Sequence, residues 1–300
     1  MLRQQLIALS LIPPATFGFV CNWLTVFIVV RYRTLHRPFA VLTANLAAWH
    51  AISATAALFF IVPMVVFDIR LMKENSSVCG AITLLAYDIT AHTHVTICFN
   101  RFVAVFLPLS YTSIFNPRST KVLILLMTAV STVIVVTFVT ALDCQLEYDD
   151  NHWTFLITDT RKCSIFSWTI MFGKNLLFSI VDVLLHVITF CRVVRMKKAA
   201  ERSSSQGYRL QESYFLKQTF GQTVFMSIEL IGYILPSRSL QPDYVSFLLS
   251  TFLWCFVHAA EGVITLIYNS EIRRKLHRRK KSYRISATKI EQQQQQAVEN

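Results

Sequence analysis

Two oppositely charged residues lie inside long apolar stretches of this sequence, where an ionisable side chain is most able to do chemistry. Asp88 comes nine residues after Cys79, and Lys174 comes eleven residues after Cys163. At about 1.5 Å per helical residue, both charges lie roughly 13–17 Å from the same end of their helices. A charge at membrane depth costs roughly 2.5–3.5 kcal/mol on insertion scales and usually faces the interior of a helix bundle. We therefore expect either a structural Asp88–Lys174 pair or a ligand-binding role for both residues together with Tyr87. A third alternative is that Lys174 extends outward to the membrane surface.

The histidines in these stretches lack the spacing of a metal or catalytic site. His92 and His94 cannot share a helix face, because neighbours on one face are three or four residues apart. Neither has metal-ligand spacing with a third group, and His258 does not complete such a cluster, so His94 is expected to be a packed histidine. Asp182 and His186 are four residues apart and could hydrogen-bond to hold helices together. The sequence thus predicts no catalytic residue, no metal site and no cofactor.

Seven stretches of the chain are apolar for long enough to cross a lipid bilayer. A bilayer core of ~30 Å requires about 20 helical residues, and backbone polar groups in lipid must be satisfied within each segment, which favours helices. The composition agrees, with 54% hydrophobic residues, 15% charged residues and a mean hydropathy of +0.46. The predicted spans are, in chain order, Leu6–Val30, Val41–Phe67, Val78–Val105, Val122–Leu142, Ile165–Cys191, Thr219–Pro236 and Tyr244–Tyr268. The predicted fold class is all-α, a polytopic seven-transmembrane helix bundle over residues 1–270 followed by a basic, glutamine-rich cytoplasmic tail over residues 271–300.

The basic residues indicate which side of the membrane each end occupies. With seven spans the termini lie on opposite sides, and the loops after spans one, three and five together with the tail hold 22 of the 29 lysines and arginines. By the positive-inside rule, the N-terminus is outside and the tail is cytoplasmic. The net charge of +12 is collected at the inner membrane face, which favours anionic membrane lipids and a cytosolic partner over nucleic acid. The sequon that begins at Asn75 falls in a predicted outer loop and predicts glycosylation there.

Motifs at the inner ends of spans three and seven narrow the function. Span three ends in Asn100-Arg101-Phe102, where the G-protein-coupled receptors have Asp-Arg-Tyr. The other residues that carry the resemblance are Pro108, Tyr111, Ile114-Phe115, the run Leu266–Arg273, and the outer cysteines Cys79, Cys144 and Cys163. Together these features resemble the nematode serpentine chemoreceptors, most closely their class X.

The resemblance implies a rhodopsin-like G-protein-coupled receptor in the plasma membrane, with sensory cilia as one location. A small molecule would enter from the extracellular side among spans three, five, six and seven, and the basic inner surface would engage a heterotrimeric G protein. In such receptors the arginine of the motif faces the G protein. The expected coupling residues are therefore Asn100, Arg101, Phe102, Pro108 and Tyr111.

The resemblance also implies a disulfide between the top of span three and the long outer loop. Cys79 is the residue at the top of span three. Its expected partner is Cys163 rather than Cys144, because Cys144 directly follows span four whereas Cys163 can fold back with its loop across span three. Both pairings lie on the oxidising side of the membrane, where a disulfide can persist.

The sequence departs from the superfamily pattern at three polar positions. Asn100 replaces the acid of the motif, so an ionic hold on Arg101 is absent. His50 stands where most of the superfamily has an aspartate that helps bind sodium, and Glu261-Gly262 stands where it usually has Asn-Pro. Because those two family positions are neighbours in space, we expect a buried His50–Glu261 hydrogen bond in place of a sodium site. Two independently solvated groups are the alternative.

Other classes of membrane protein fit the sequence less well. A transporter or channel would use the intramembrane charges as an ion path, but it should show inverted repeats or helices broken by glycine and proline. The chain has only seven glycines and no visible internal repeat. A membrane enzyme would need a ligand cluster such as His-x-x-x-His, which the sequence does not provide.

Overall fold

The computed structural model describes residues 2–32, 37–200, 207–234, 243–269 and 272–273. Seven long helical segments pack into one bundle, and the end that bears a β-hairpin is called the outer end, following the orientation predicted from lysine and arginine. Span one is Ile12–Arg31, preceded by the helix Leu2–Leu9; span two is Pro38–Ala56, continued by the π-helical turn Ala57–Ile61 and by Val62–Val66; span three is Ser76–Phe106. Span four is Pro117–Val136 followed by the π turn Thr137–Ala141, and span five is Arg161–Phe166, the π turn Ser167–Gly173 and Lys174–Ala200. Span six is Gly207–Ile234, and span seven is Asp243–Phe247, the π turn Leu248–Phe252 and Leu253–Tyr268. Two short helices, Arg70–Glu74 and Tyr111–Ile114, and two strands, β1 (Leu146–Asp149) and β2 (Thr154–Ile157), complete the described chain.

The described helices bear out a polytopic helical bundle. Five of them are long and apolar enough to cross a membrane. The other two, spans three and six, are 31 and 28 residues long but carry more polar side chains. Those side chains are turned inward: Thr90 of span three and Gln222 of span six are 0% and 1% exposed. Spans three and six therefore form the polar interior of the bundle, while more apolar helices meet the lipid.

The predicted cytoplasmic tail over residues 271–300 lies outside the described residues, apart from residues 272 and 273. The boundary proposed at residue 270 therefore stays a prediction.

Span four begins where its sequence predicts a helix start. Asn116 is the N-cap and its side chain accepts hydrogen bonds from the backbone N–H groups of Arg118 and Ser119, while the Ser119 hydroxyl accepts from the Asn116 backbone. Pro117 occupies the first helical position, where its missing N–H has no intrahelical partner to lose. This capping box fixes the entry of span four at the inner end of the bundle.

Spans one and seven approach closely through small residues. A Cβ added to Gly262 would lie 2.9 Å from the Asn22 side-chain nitrogen and 2.9 Å from the Cβ of Cys21. Asn22 donates across the same contact to the carbonyl oxygen of His258, at 2.9 Å. Small residues that let two backbones approach, with a polar side chain bonding across them, are a common way for helices to associate in membranes. This packing places His258 and Glu261, four and one positions before Gly262, toward the bundle interior.

The disulfide expected at the outer end is corrected by the structure. Cys144 is bonded to Cys163, with a Cα–Cα distance of 5.7 Å, and Cys79 has a free thiol. The reason is geometric: β1 and β2 pair as an antiparallel hairpin, which brings its two flanking cysteines together. The side chain of Cys79 instead packs into an apolar cluster with Leu11 and Ile61.

The hairpin rests on span three without a covalent link to it. The Tyr148 backbone N–H donates to the Ser76 hydroxyl, at 3.1 Å. A Cβ on Gly80 would lie 2.0 Å from the Leu146 carbonyl oxygen, so only glycine permits this approach. The hairpin is thus held over the outer end by backbone contacts, and its own ends are joined by the disulfide.

An exposed ion cluster ties the hairpin to the segment between spans two and three. The Lys73 ammonium donates to Asp68 and to Asp150, each at 2.6 Å. Burial opposes protonation of Lys73, but hydrogen bonds from its ammonium to Asp150 and Asp68 outweigh this effect and raise its pKa above the ordinary value. The same bond lowers the pKa of Asp68. Both carboxylates are half exposed, so this contact orients the hairpin more than it stabilises the fold.

Candidate functional site

A cavity of about 180 Å³ lies in the outer half of the bundle beneath the hairpin. Its walls come from spans two to seven and from both strands, and most of the lining side chains are apolar. The polar lining residues are Thr83, Tyr87, Asp88, Thr154, Ser167, Asn175, Glu229, Ser250 and Thr251. A concave, mostly apolar space with a few convergent polar groups is the usual form of a small-molecule site.

Three of the four π turns contribute to the cavity wall. Ile61 comes from the turn in span two, Met171 and Phe172 from the turn in span five, and Leu249 and Thr251 from the turn in span seven. A π turn inserts an extra residue into the helix and redirects the side chains around it, and such turns are frequent at functional sites. Apolar periodicity did not reveal them in the sequence.

Asp88 and Lys174 form an ion pair at the inner edge of this cavity. The Lys174 ammonium donates to one Asp88 carboxylate oxygen. The other oxygen lies 3.4 Å from Nδ1 of His92. Of the three residues predicted to bind a ligand, Tyr87 and Asp88 line the cavity, whereas Lys174 is not among its lining residues and contacts it through Asp88.

Among the polar lining residues that were not predicted from the sequence, Glu229 and Asn175 carry the strongest hydrogen-bonding groups. Glu229 of span six is buried, at 7% exposure. The side-chain oxygen of Asn175, adjacent to Lys174, is buried and accepts no hydrogen bond from any residue that the structure describes. Glu229 is the one acidic residue within the predicted span Thr219–Pro236, so its depth in an apolar stretch marks it in the same way as Asp88. Asn175 had no comparable signal.

The hairpin closes over the cavity through hydroxyl groups. Thr154 of β2 and Ser250 of span seven exchange a hydrogen bond of 2.8 Å. Thr251 donates to Thr154 at 3.1 Å. These contacts join the outer loop to span seven, so a molecule in the cavity lies beside both the hairpin and the helices.

The inner end of span three carries the second group of predicted site residues. Arg101 donates to the side-chain oxygen of Asn100 at 2.8 Å, and its guanidinium lies 3.9 Å from the centre of the Phe39 ring. Asn100 in turn donates to the Tyr111 hydroxyl at 3.1 Å. Asn100 is fully buried and Arg101 is 6% exposed. A neutral amide and a phenol hydroxyl thus hold the arginine in place.

The loop after span three is exposed. Pro108 is exposed, and Leu109 beside it is 96% exposed. Phe102 lies on the same helix end and stacks on Phe106, with ring centres 4.6 Å apart. The predicted coupling residues therefore divide into a hydrogen-bonded chain, formed by buried Asn100 and Arg101 with half-buried Tyr111, and a second part that contains half-buried Phe102 and exposed Pro108.

The expected His50–Glu261 hydrogen bond is not made, although the two side chains meet. Nε2 of His50 lies 3.9 Å from a Glu261 oxygen, beyond hydrogen-bond reach. His50 bonds instead to His258, with 2.7 Å between their Nδ1 atoms. His94 also joins this cluster, since its Nε2 lies 3.8 Å from the other Glu261 oxygen. His94 is thus packed, but the spacing argument was wrong to deny it further ligand groups, because those groups come from spans two and seven.

Asp182 and His186 hydrogen-bond, through the backbone carbonyl of Asp182. Nδ1 of His186 donates to the backbone carbonyl of Asp182, at 2.9 Å. It also lies 3.4 Å from the Cys98 sulfur of span three. This contact links span five to span three below the cavity.

Comparison with known proteins agrees with this architecture. Residues 12–269 match the model of the family described as serpentine type 7TM GPCR chemoreceptor Srx. Serpentine receptor class X 45 of Caenorhabditis elegans is 29% identical over 295 aligned residues, which cover 90% of this chain and 80% of that protein. Serpentine receptor class X-43 of the same organism is 23% identical over 253 residues, covering 83% of this chain and 79% of that protein. This chain therefore belongs to the Srx family of serpentine seven-transmembrane chemoreceptors, a family of receptors rather than of enzymes.

Proposed function

We propose that this chain is a chemosensory receptor that binds a small molecule from the extracellular side and activates a heterotrimeric G protein. The observation that carries the proposal is the arrangement along span three. Asp88 and Tyr87 line the cavity in the outer half, and Arg101 sits in its hydrogen-bond chain at the inner end of the same helix. One helix therefore connects a candidate binding site to a candidate coupling site.

The ligand that this cavity favours is small and largely apolar, with one or two hydrogen-bonding groups. The walls are mainly aliphatic and aromatic, and the polar groups concentrate at Asp88, Asn175, Glu229 and the hydroxyls of span seven. Asp88 is already neutralised by Lys174, so a ligand that binds there must share or displace that pair. Binding would activate by favouring the bundle arrangement in which the Arg101 chain opens.

Ligand binding is tested by filling the cavity. Leu84→Trp places an indole in its wall, and we expect the concentration of agonist for half-maximal nucleotide exchange to rise about tenfold or more, corresponding to ~1.4 kcal/mol. Labelled-GTP exchange on membranes, with agonists found by screening cells that express the receptor, gives the measurement. Ile82→Trp is the matched control, because Ile82 is 45% exposed on the same helix. Equal responses of the two variants would show that the ligand binds elsewhere.

Coupling is tested at the inner end. Arg101→Ala should abolish agonist-stimulated exchange while surface expression and agonist binding persist, because the two sites lie at opposite ends of the bundle. Leu109→Asp should weaken exchange as well, since Leu109 is 96% exposed and Leu107 and Ile114 expose apolar side chains in the same segment, and a group of exposed apolar side chains is suited to a protein contact. Normal signalling in an Arg101→Ala receptor at wild-type surface level would show that Arg101 only anchors the helix at the membrane interface and is not needed for coupling.

The orientation proposed is N-terminus outside and C-terminus in the cytoplasm, at the plasma membrane. Asn75 is exposed at the hairpin end of the bundle, which supports its use as a glycosylation site. Glycosidase should shift the mobility of the expressed receptor, and Asn75→Gln should remove the shift. A tail epitope accessible on intact cells would overturn this orientation.

A further inference from the structure

Three potential metal ligands from three different spans converge in the middle of the bundle. His50 of span two, His94 of span three and Glu261 of span seven each offer one ligating atom, and these atoms all lie within 4.8 Å of one another. The three residues are 1%, 2% and 1% exposed. The cluster is separate from the cavity described above, since none of its members lines that cavity.

The polar atoms of this cluster lack hydrogen-bond partners among the residues that the structure describes. They are Nε2 of His50, Nε2 of His94 and both carboxylate oxygens of Glu261. Each buried polar atom without a hydrogen-bond partner lowers the stability of the fold by roughly 1–3 kcal/mol. The cluster contains four such atoms. Their chemistry shows what would relieve it: two imidazole nitrogens and a carboxylate are all able to donate an electron pair to one cation.

We propose that His50, His94 and Glu261 bind a divalent transition-metal ion, for which Zn²⁺ is the best match. Two histidines and one glutamate form a ligand set that zinc uses, at about 2.0–2.2 Å from each donor. Calcium and magnesium prefer oxygen ligands, so two nitrogens out of three donors disfavour them. Tetrahedral ligands at these bond lengths are roughly 3.3–3.5 Å apart. Nε2 of His50 lies 3.9 Å from one Glu261 oxygen and Nε2 of His94 lies 3.8 Å from the other. One donor atom from each residue fits within 4.8 Å, so side-chain movements of about 1–1.5 Å would bring the three donors onto one ion.

His258 prepares His50 for this role. The Nδ1 atoms of the two rings are 2.7 Å apart, so a proton on Nδ1 of His50 can be donated to His258. That tautomer leaves the lone pair of His50 Nε2 directed toward Glu261 and His94. Metal-bound histidines usually donate their second ring N–H in this way, and loss of such a partner typically weakens metal affinity by about 10–100-fold. The ring of His258 is itself held by Trp254, with centres 4.6 Å apart.

A metal at this point would join spans two, three and seven. Binding favours whichever bundle arrangement brings the three ligands together, which is the arrangement of the present structure. The inference does not rest on the proposed chemosensory function, because a metal can bind whether or not an agonist does.

Metal binding is tested on the purified full-length receptor in nanodiscs after chelator treatment. We expect one Zn²⁺ or Co²⁺ per chain, and a melting temperature that rises with the logarithm of free Zn²⁺ concentration above the dissociation constant. His94→Gln and Glu261→Gln should each weaken affinity by at least about tenfold, and His258→Leu by about 10–100-fold. His152→Gln is the matched control, since His152 is an outer-loop histidine beside Asp149. Absence of stoichiometric binding would overturn the proposal, as would equal affinities in His94→Gln, Glu261→Gln and wild type.

A measurement on the wild-type chain keeps the test decisive if the variants do not fold. X-ray absorption of the Zn²⁺-loaded receptor should show nitrogen and oxygen ligands at about 2.0–2.2 Å with scattering from two imidazoles. Sulfur ligands would place the metal on cysteines and overturn the assignment. A melting temperature raised by Na⁺ but unchanged by Zn²⁺ and Co²⁺ would also overturn it, because it would assign the cluster to a different class of cation.

Discussion

Replacing Lys174 by methionine should destabilise the receptor substantially, because it removes the partner of a buried carboxylate. The Asp88 side chain is 6% exposed and that of Lys174 is 18% exposed. Breaking a buried ion pair by removing one member typically costs about 3–5 kcal/mol, since the remaining charge is left uncompensated. The lower end of that range applies here, because Nδ1 of His92 lies 3.4 Å from the second Asp88 oxygen and leaves the carboxylate a polar neighbour.

Asp88→Asn should cost less, and the double variant should cost less than the sum of the two. The Lys174 side chain is 18% exposed, so leaving its ammonium without a partner should lower the free energy of unfolding by only about 1–2 kcal/mol. With both charges removed no ion remains unpaired, and we expect a coupling energy of about 1.5–3 kcal/mol. Thermal unfolding of the four receptors in detergent gives the cycle. Lys162→Met is the matched control, because Lys162 is exposed at the start of the same span.

Additive effects of Lys174→Met and Asp88→Asn, within about 0.5 kcal/mol, would refute this reasoning. They would mean that Lys174 extends outward to the membrane surface and that Asp88 is held by other groups. Agonist affinity measured on the same variants distinguishes the two roles that remain. A purely structural pair would leave affinity unchanged in the stable double variant, whereas a ligand contact would lower it.

Two further predictions concern the outer disulfide and the contact between spans one and seven. Replacing both Cys144 and Cys163 by serine should lower the free energy of unfolding by about 3 kcal/mol, the chain-entropy value for a loop that spans 19 residues. Cys79→Ser should change the free energy of unfolding little. Peptide mapping that links Cys79 to the outer loop would contradict the Cys144–Cys163 pairing. Gly262→Ala should cost about 1–3 kcal/mol, because the added Cβ would lie 2.9 Å from two atoms of span one. Gly221→Ala is the control, since its Cβ would be 3.5 Å from the nearest Ile264 atom, and equal melting temperatures of the two variants would argue against the close packing.

The sequence by itself determined the class of this protein. Apolar length predicted the spans, and the description of a helical bundle and the family match agree with it. The motif Asn100-Arg101-Phe102, together with the residues that follow it, the end of span seven and the outer cysteines, indicated the receptor superfamily and its nematode class. These properties are readable from sequence because membrane insertion depends on local composition, and because a motif is a local pattern.

Pairwise contacts were predicted less well, and the reason differs from case to case. Asp88 and Lys174 were placed at one depth by counting helical rise, and the structure brings them together. Cys79 was assigned to the wrong pairing, because counting residues does not show toward which neighbour a helical side chain is turned. The hairpin that brings Cys144 to Cys163 depends on the pairing of two strands of four residues each, and strands this short give too little pattern to predict their pairing.

The cluster of His50, His94 and Glu261 at the centre of the bundle shows most clearly which contacts could not be predicted from the sequence. The spacing of His92 and His94 correctly placed them on different faces: His92 lies beside Asp88 and His94 beside Glu261. Periodicity describes the faces of a single helix, and it does not tell which faces of different helices meet. His50, His94 and Glu261 come from three spans separated by long stretches of chain. Only the packing of those spans, including the close approach of spans one and seven, decided that their ligating atoms converge.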